Sequence, residues 1–597
     1  MPRPTSRWIC ARASGEISTV DATDAATWIV LGRAGDHVVT IALDEDAQEI
    51  ARATLDPAEL TDWVAARETS AAPRWAWSDA NAWYPQLLDA GVRVARCHDL
   101  RLCHAILRDA ASVPEAPTLR AATDWDHASL VDAEPAAVPT LFDFADTTRR
   151  HPGPPLGIDE ALSEFERQRA AVAASTDPAR LRLLLAAESA GALIGVELRA
   201  AGLPWDAAAH NALLSDTLGP RPVAGATPAR MEEVAADVRR ALGDPAASLD
   251  SQQKLLRSLH RVGILVESTG KWELAEQQHP VIEPLLEYKR LARLYTANGW
   301  TWLDEWVRDG RFRPTYVPAG VVTGRWASSG GGALQLPRQL RQAVRADPGW
   351  TLVVADVAQL EPRVLAAMAS DTRLADAARG RDLYAGVVDS GAVGTRAEAK
   401  IALLGAMYGA TTGDSGRLLP RLRSTFPRAM ALVDEAARIG DDGGIVSTWL
   451  GRTSPPPSVE WRAVQSQASD VDASGADEAR ARRSAKERGR FTRNFVVQGT
   501  AAEWALAWLA DLRGRLAAMP PVAESAGAPR SGPVFATRPH LALFLHDEVI
   551  IHTPLALAEQ VAEAAREAAA SASRLLFGGF PIDFPLDLRI AETADKG

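Results

Sequence analysis

Cysteine is almost missing from this chain: Cys10, Cys97 and Cys103 are the only three in 597 residues, and none are spaced as a CxxC pair. Neither a disulfide framework nor a structural zinc site is indicated. Uninterrupted apolar runs long enough to span a bilayer are also lacking, and the opening MPRPTSRWIC has no charged-then-apolar secretory pattern. A cytoplasmic, monomeric protein with no membrane association is expected. Excess positive charge is absent too. The net charge of −11 argues against a protein that coats nucleic acid indiscriminately, though not against one with a local basic channel. Basic residues do concentrate in two stretches, 417–428 and 479–493. Taken alone, either run reads as a solvated helix face.

What is present suggests several domains. Residues 1–110 alternate short strand-like runs, "ATWIVLG" and "HVVTIAL", with the helical "ANAWYPQLLDAGV", the pattern of a small α/β unit. A Pro-, Ala- and Asp-rich linker follows over 111–157, then a helical region over 158–300. Beyond it, strands alternate with long helices. Two polar inserts, about 454–489 and 520–539, are expected to be disordered or loop-like.

The chemistry concentrates in three places. "LFLHDEVIIHTP" reads as two apolar strands pinched around His546, Asp547 and Glu548. Buried carboxylates are costly unless paired or bound to a metal, so a partner is required. One candidate is Asp356, near the end of the strand-like "WTLVVADV". Two strand ends that each deliver an aspartate can hold a pair of divalent cations for phosphoryl transfer. Between the two acids, Arg396, Lys400, Leu404 and Tyr408 recur every fourth residue. On a helix they form one stripe of two cations, an apolar residue and an aromatic, suited to a nucleoside triphosphate. Alone, Asp356 could equally cap the helix that follows, and the stripe could be an ordinary amphipathic helix.

Together these motifs resemble the family A DNA polymerases. "DVAQLEPR" is similar to the family's first motif and retains Asp356, Gln359, Glu361 and Arg363; the Arg-Lys stripe matches its second, and His546–Asp547–Glu548 its third. "TGRWASSGGGALQLP", "RFTRNFVVQGTAAEWAL" and "HPVIEPLLEYKRLARLYT" look like further family segments. The resemblance covers about residues 160–597. It implies an α+β, multidomain architecture: an exonuclease-like α/β domain over 1–110, a linker over 111–157, then a right-hand polymerase. Its mostly helical thumb would occupy 158–300, and its palm, built on an antiparallel sheet, 301–380 and 490–597. Helical fingers would occupy 381–489.

The resemblance also implies roles. Asp356 and Asp547 would bind two Mg²⁺ ions, with Glu548 in a lesser catalytic role. Arg396 and Lys400 would bind phosphates, and Lys400 would protonate the leaving pyrophosphate. Gln359, Leu404 and Tyr408 would complete the nucleotide site, with Glu361 excluding a ribose 2′-hydroxyl. Arg325, Gln335, Arg490, Asn494, Gln498 and His546 would contact primer–template DNA. The substrates would be deoxynucleoside triphosphates, used in repair or replication.

Departures from the family pattern fall at Leu404, an aliphatic residue where an aromatic is usual, and at Val357, Pro362 and Leu336. In the first domain Asp99 resembles an exonuclease aspartate, yet the early strands offer no Asp-x-Glu and no late tyrosine motif appears. Proofreading is therefore expected to be inactive. Leu141–Phe142 in the linker is weakly similar to a sliding-clamp docking peptide. A competing reading is a catalytically weak DNA-binding factor that recruits repair proteins.

Overall fold

The computed structural model describes residues 26–129, 153–223, 225–332, 336–409, 413–470 and 472–595. The chain divides into two compact units, one holding the described residues up to 193 and the other those from 194 onward.

In the first unit, strands β1 (Trp28–Ala34), β2 (His37–Leu43), β3 (Glu49–Leu55), β4 (Arg74–Trp77) and β5 (Cys97–Asp99) form a sheet of order β3-β2-β1-β4-β5. The β1–β2 and β2–β3 pairs are antiparallel, whereas β1–β4 and β4–β5 are parallel. Ile29, Val30 and Leu31 are consecutive and buried, as expected of a central strand covered on both faces. Helix α1 (Leu100–Asp109) follows β5, and α2 (Ile158–Ala173) packs on the sheet by placing Ile158, Ala161 and Phe165 against Val30 and Ile41. Gly32 permits that packing, because a Cβ there would lie 2.4 Å from the Ile158 Cα. The boundary expected at 110 is thus corrected. Residues 158–193, assigned to the thumb from sequence, belong with the N-terminal sheet because the apolar face of α2 completes its core.

The second unit is built around four antiparallel strands: β6 (Trp350–Val357), β7 (His540–Leu545), β8 (Glu548–Pro554) and β9 (Leu586–Ala591), in the order β7-β8-β6-β9. Leu352, Val353, Val354 and Ala355 of the inner strand β6 are buried, which explains its near-continuous apolar sequence. In chain order, the helices that bear on the site are α3 (Leu360–Met368), α4 (Arg396–Tyr408), α5 (Pro427–Asp441), α6 (Val459–Ala468), α7 (Gly475–Ala518) and α8 (Ala558–Phe577).

The stretch 454–489 departs from the expected disorder. It forms α6 and the first turns of the 44-residue α7, with a Ser474–Asp477 capping box starting the latter. Its low hydrophobicity misled because α6 buries no residue of its own and is held by hydrogen bonds instead: Trp461 Nε1 donates to Ser484 O at 3.3 Å and Gln465 Nε2 to Ala481 O at 3.0 Å. Residues 520–539 are loop with two short 3₁₀ turns.

Candidate active site

The β6–β8 register aligns Val353 with Ile551 and ends by aligning Asp356 with Glu548. The turn between β7 and β8 consists of His546 and Asp547, with His546 in the left-handed region at φ 60°. The Asp547 carbonyl accepts the Val357 N–H at 2.9 Å, which ties the turn to the residue after Asp356. The two aspartates therefore stand on neighbouring strand ends. Asp356 does not cap the following helix, since the N-cap of α3 is Gln359.

Electrostatics reports the same proximity. Burial, and then the nearby Asp356 carboxylate, push the Asp547 carboxyl up to about 6. Two like charges share a partly desolvated space, and hard oxygen donors of this kind suit a magnesium-type cation. No cluster of three or more His, Cys, Asp or Glu placed to hold a metal occurs among the described residues, so the donor set would rest on this pair.

Glu548 is used differently. It is buried and receives a bidentate ion pair from Arg341, with Nη2 to Oε2 at 2.8 Å. Its carboxylate is thus paired with an arginine beside Asp547. Arg341 was not foreseen, because an arginine in a loop-like stretch carries no signal of its partner 207 residues away. Asp587 was also missed; it lies opposite Asp356 on β9 and is exposed.

Beside the aspartates lies a cavity of about 320 Å³, lined among others by Glu361, Lys400, Leu404, Tyr408, His546 and Asp547. Helix α4 starts with a capping box between Thr395 and Glu398 and ends at Gly409, at φ 76°. Any Cβ at Gly409 would lie 2.6 Å from the Arg490 Cγ, so only glycine allows that arginine to cross the helix end. Of the stripe, Lys400, Leu404 and Tyr408 line the cavity, whereas Arg396 is not among its lining residues. Its guanidinium pairs with Asp382, Nη2 to Oδ2 at 2.8 Å, and lies over the Tyr384 ring at 5.5 Å. At the exposed end of the helix, a nearby carboxylate captures it.

Glu361 is held from two sides, accepting from the Tyr408 hydroxyl and pairing with Arg325. Gln359, also in the left-handed region at φ 50°, donates to Asp382 Oδ2 at 3.2 Å. Burial, with Arg325 adding to it, lowers the His546 pKa and favours a neutral ring at pH 7. On α7, Arg490, Asn494 and Gln498 recur every fourth residue along one face. Gln498 Oε1 accepts from Thr323 Oγ1 at 3.0 Å, while Asn494 Oδ1 is buried with no hydrogen-bond partner among the described residues. Gln335, Cys10 and the Leu141–Phe142 pair lie outside the described residues. In the first unit, Asp99 is fully buried as the N-cap of α1. Its oxygens accept the Ala80 N–H at 2.7 Å and the Leu102 N–H at 3.0 Å, and burial followed by Asp79 pushes its carboxyl up to about 7. Both oxygens thus serve as backbone caps.

Residues 229–593 match the family model described as DNA polymerase family A. The chain belongs to that family. Among curated relatives, the thermostable DNA polymerase I of Thermus filiformis is 27% identical over 408 residues, covering 61% of this chain and 43% of the relative. DNA polymerase I of Chloroflexus aurantiacus is 29% identical over 333 residues, covering 51% and 31%. The chain thus spans less than half the length of these relatives. Among solved structures, the POL domain of Pol1 from M. smegmatis, in complex with DNA primer-template and dNTP, aligns over 95% of both chains with a TM-score of 0.63 and 17% identity. That likeness establishes a shared fold. Among the described residues, no helix is long and apolar enough to cross a membrane.

Proposed function

We propose that this chain is a template-directed DNA polymerase adding deoxynucleotides to a primer 3′-hydroxyl, acting in repair or replication. One observation carries the reading: Asp356 and Asp547 on adjacent strand ends, beside a cavity lined by the Lys400–Leu404–Tyr408 face of α4. In this reading the sheet is the palm, α4 and α5 belong to the fingers, and the helices between 194 and 300 form the thumb. The N-terminal unit is an exonuclease-like domain without proofreading. Asp356 and Asp547 would hold two Mg²⁺ ions, which when bound acidify the primer hydroxyl and neutralise the triphosphate.

The chain's own groups do the rest. Lys400 holds phosphate oxygens and gives a proton from Nζ to the leaving pyrophosphate, which a guanidinium does not do. Glu361, fixed by Arg325 and Tyr408, occupies the space a ribose 2′-hydroxyl would need. Arg490, Asn494 and Gln498 face primer–template DNA, and the unpartnered Asn494 oxygen supports a donor arriving from outside the protein.

Primer extension on a primed template, with deoxynucleotides and ribonucleotides and with each metal, tests the proposal; no extension under any condition overturns it. Lys400→Ala is expected to cut single-turnover rates by about 10²–10⁴. Lys400→Arg should restore only part of the loss, and full recovery would reduce the residue to a point charge. Glu361→Ala is expected to raise ribonucleotide incorporation at least about tenfold, a change of about 1.4 kcal/mol in discrimination. An unmoved incorporation ratio would remove Glu361 from sugar selection.

A further inference from the structure

Arg396 is the first residue of α4, at the end of the helix where backbone N–H groups already carry partial positive charge, so a cation there needs an acid nearby. Asp382 supplies it. The pairing is bidentate, with Nε to Oδ1 at 3.2 Å and Nη2 to Oδ2 at 2.8 Å, and the two side chains are 61% and 31% exposed. The neighbouring acids are engaged elsewhere. Glu398 accepts the Gly394 N–H at 2.8 Å and the Thr395 N–H at 3.2 Å, and Asp389 pairs with Arg381 at 2.7 Å.

The two partners are not equally held. Asp382 is the N-cap of the short helix Leu383–Asp389: its Oδ1 accepts the Ala385 N–H at 2.8 Å, and its Oδ2 accepts from Gln359 Nε2 at 3.2 Å. Gln359 is fixed in turn, because its Oε1 accepts the Leu383 N–H at 3.3 Å. The carboxylate is thus anchored on two sides without Arg396. Among the described residues, the contacts of the guanidinium are Asp382 and the ring of Tyr384, 5.5 Å away. Tyr384 is itself buried and lines the cavity together with Lys400. Lys400 lies one turn along α4 from Arg396, about 6 Å in rise and about 40° in rotation. Arg396 therefore rests against a wall of the cavity, one turn short of the cation inside it.

We infer that Asp382 is a positioning residue that holds Arg396 in reserve: an incoming triphosphate must take the guanidinium from this carboxylate, so Asp382 sets how tightly the nucleotide binds. The inference rests on the polymerase reading, which places the phosphates at Lys400. Charge decides the exchange. A half-exposed ion pair is weak, whereas a triphosphate carries several charges and accepts the planar fork of a guanidinium. Asp382 stays behind, since its contacts with Ala385 and Gln359 do not involve the arginine.

The test is calorimetric titration of dATP and Mg²⁺ into the full chain bound to a primed template whose primer ends in a dideoxynucleotide, so that binding is read without turnover. Asp382→Asn removes the charge but keeps a capping oxygen, and is expected to bind dATP about two- to fivefold more tightly than wild type. A purely structural role would not tighten binding. Arg396→Ala should bind dATP at least about tenfold more weakly than wild type. Adding Asp382→Asn to it should change nothing further, because the carboxylate acts through the arginine. Should the Asn variant not fold, Asp382→Ser, which also caps, makes the same test. Affinity no tighter than that of wild type, or a gain that persists in the Arg396→Ala background, would overturn the inference. No dATP binding by wild type would overturn it together with the polymerase reading. Failure of wild type to extend any primed template would sink that reading alone, while the titration would still judge Asp382.

Discussion

Asp547→Asn is expected to abolish primer extension and, in metal-free buffer, to make the second unit more stable. Both effects come from one carboxylate. Its pKa is pushed from 3.8 to about 6 by burial and by Asp356, so ionising it in the folded state is unfavourable. A rise of about two pH units corresponds to about 3 kcal/mol at 1.36 kcal/mol per unit, as an upper figure because the side chain retains some solvent. The sign follows from the raised folded value: the fold holds its proton more tightly than the unfolded chain. Wild type therefore has this stability below about pH 4 and loses it as pH rises through about 6.

Asparagine cannot ionise, so the variant should keep that stability at pH 7.5, and the advantage should vanish near pH 4. Saturating Mg²⁺ should reverse the order, because a ligand that binds the native state stabilises it. Activity should fall at least about a thousandfold, since several kcal/mol of charge stabilisation are lost. Calorimetry of both proteins at two pH values, with and without the metal, and primer extension on the same samples would decide. An Asn variant that is less stable than wild type at pH 7.5 without metal would contradict the crowded-carboxylate picture. Retained extension would favour the alternative of a DNA-binding factor that does no chemistry.

Arg341→Met should be the most damaging single change to the sheet. It removes the partner of a buried carboxylate and leaves the Glu548 charge unpaired, which typically costs about 3–5 kcal/mol. Glu548 already raises the Asp547 pKa in a minor way, and losing its arginine should strengthen that push. The acidic limb of the pH–rate profile should therefore move to higher pH as well. Arg341→Met/Glu548→Gln should recover most of the stability, because the buried charge goes with its partner. Urea unfolding of the single and double variants checks the first effect, and a pH–rate series the second. A double variant no more stable than Arg341→Met would show that the pair's charge is not what matters.

Much of the site was legible in the chain itself. The apolar run ending at Asp356, the strand–turn–strand around Asp547 and the four-residue spacing of Lys400, Leu404 and Tyr408 are local patterns. Strand and helix periodicity turn such patterns into faces and ends without help from distant residues. Which partners the charges take was not legible. Arg396 pairs with Asp382 at the exposed start of α4. Glu548 pairs with Arg341, 207 residues away in sequence. The stretch 454–489 is expected to be disordered or loop-like from its polar, Pro-, Ser-, Ala- and Gly-rich composition, whereas backbone carbonyls of α7 supply the partners that hold α6.

By itself, then, the order of residues determined the strands that end near Asp356 and flank Asp547, the helix of the Arg396–Tyr408 stripe, and which side chains each one carries. It also determined that two acids and a cationic stripe would be delivered from separate segments. Only the tertiary structure decided which charges neutralise one another, where the N-terminal unit ends and which partners hold α6. Ion pairs and helix packing depend on distances in space between segments 14 to 207 residues apart in sequence, and no local periodicity encodes those distances.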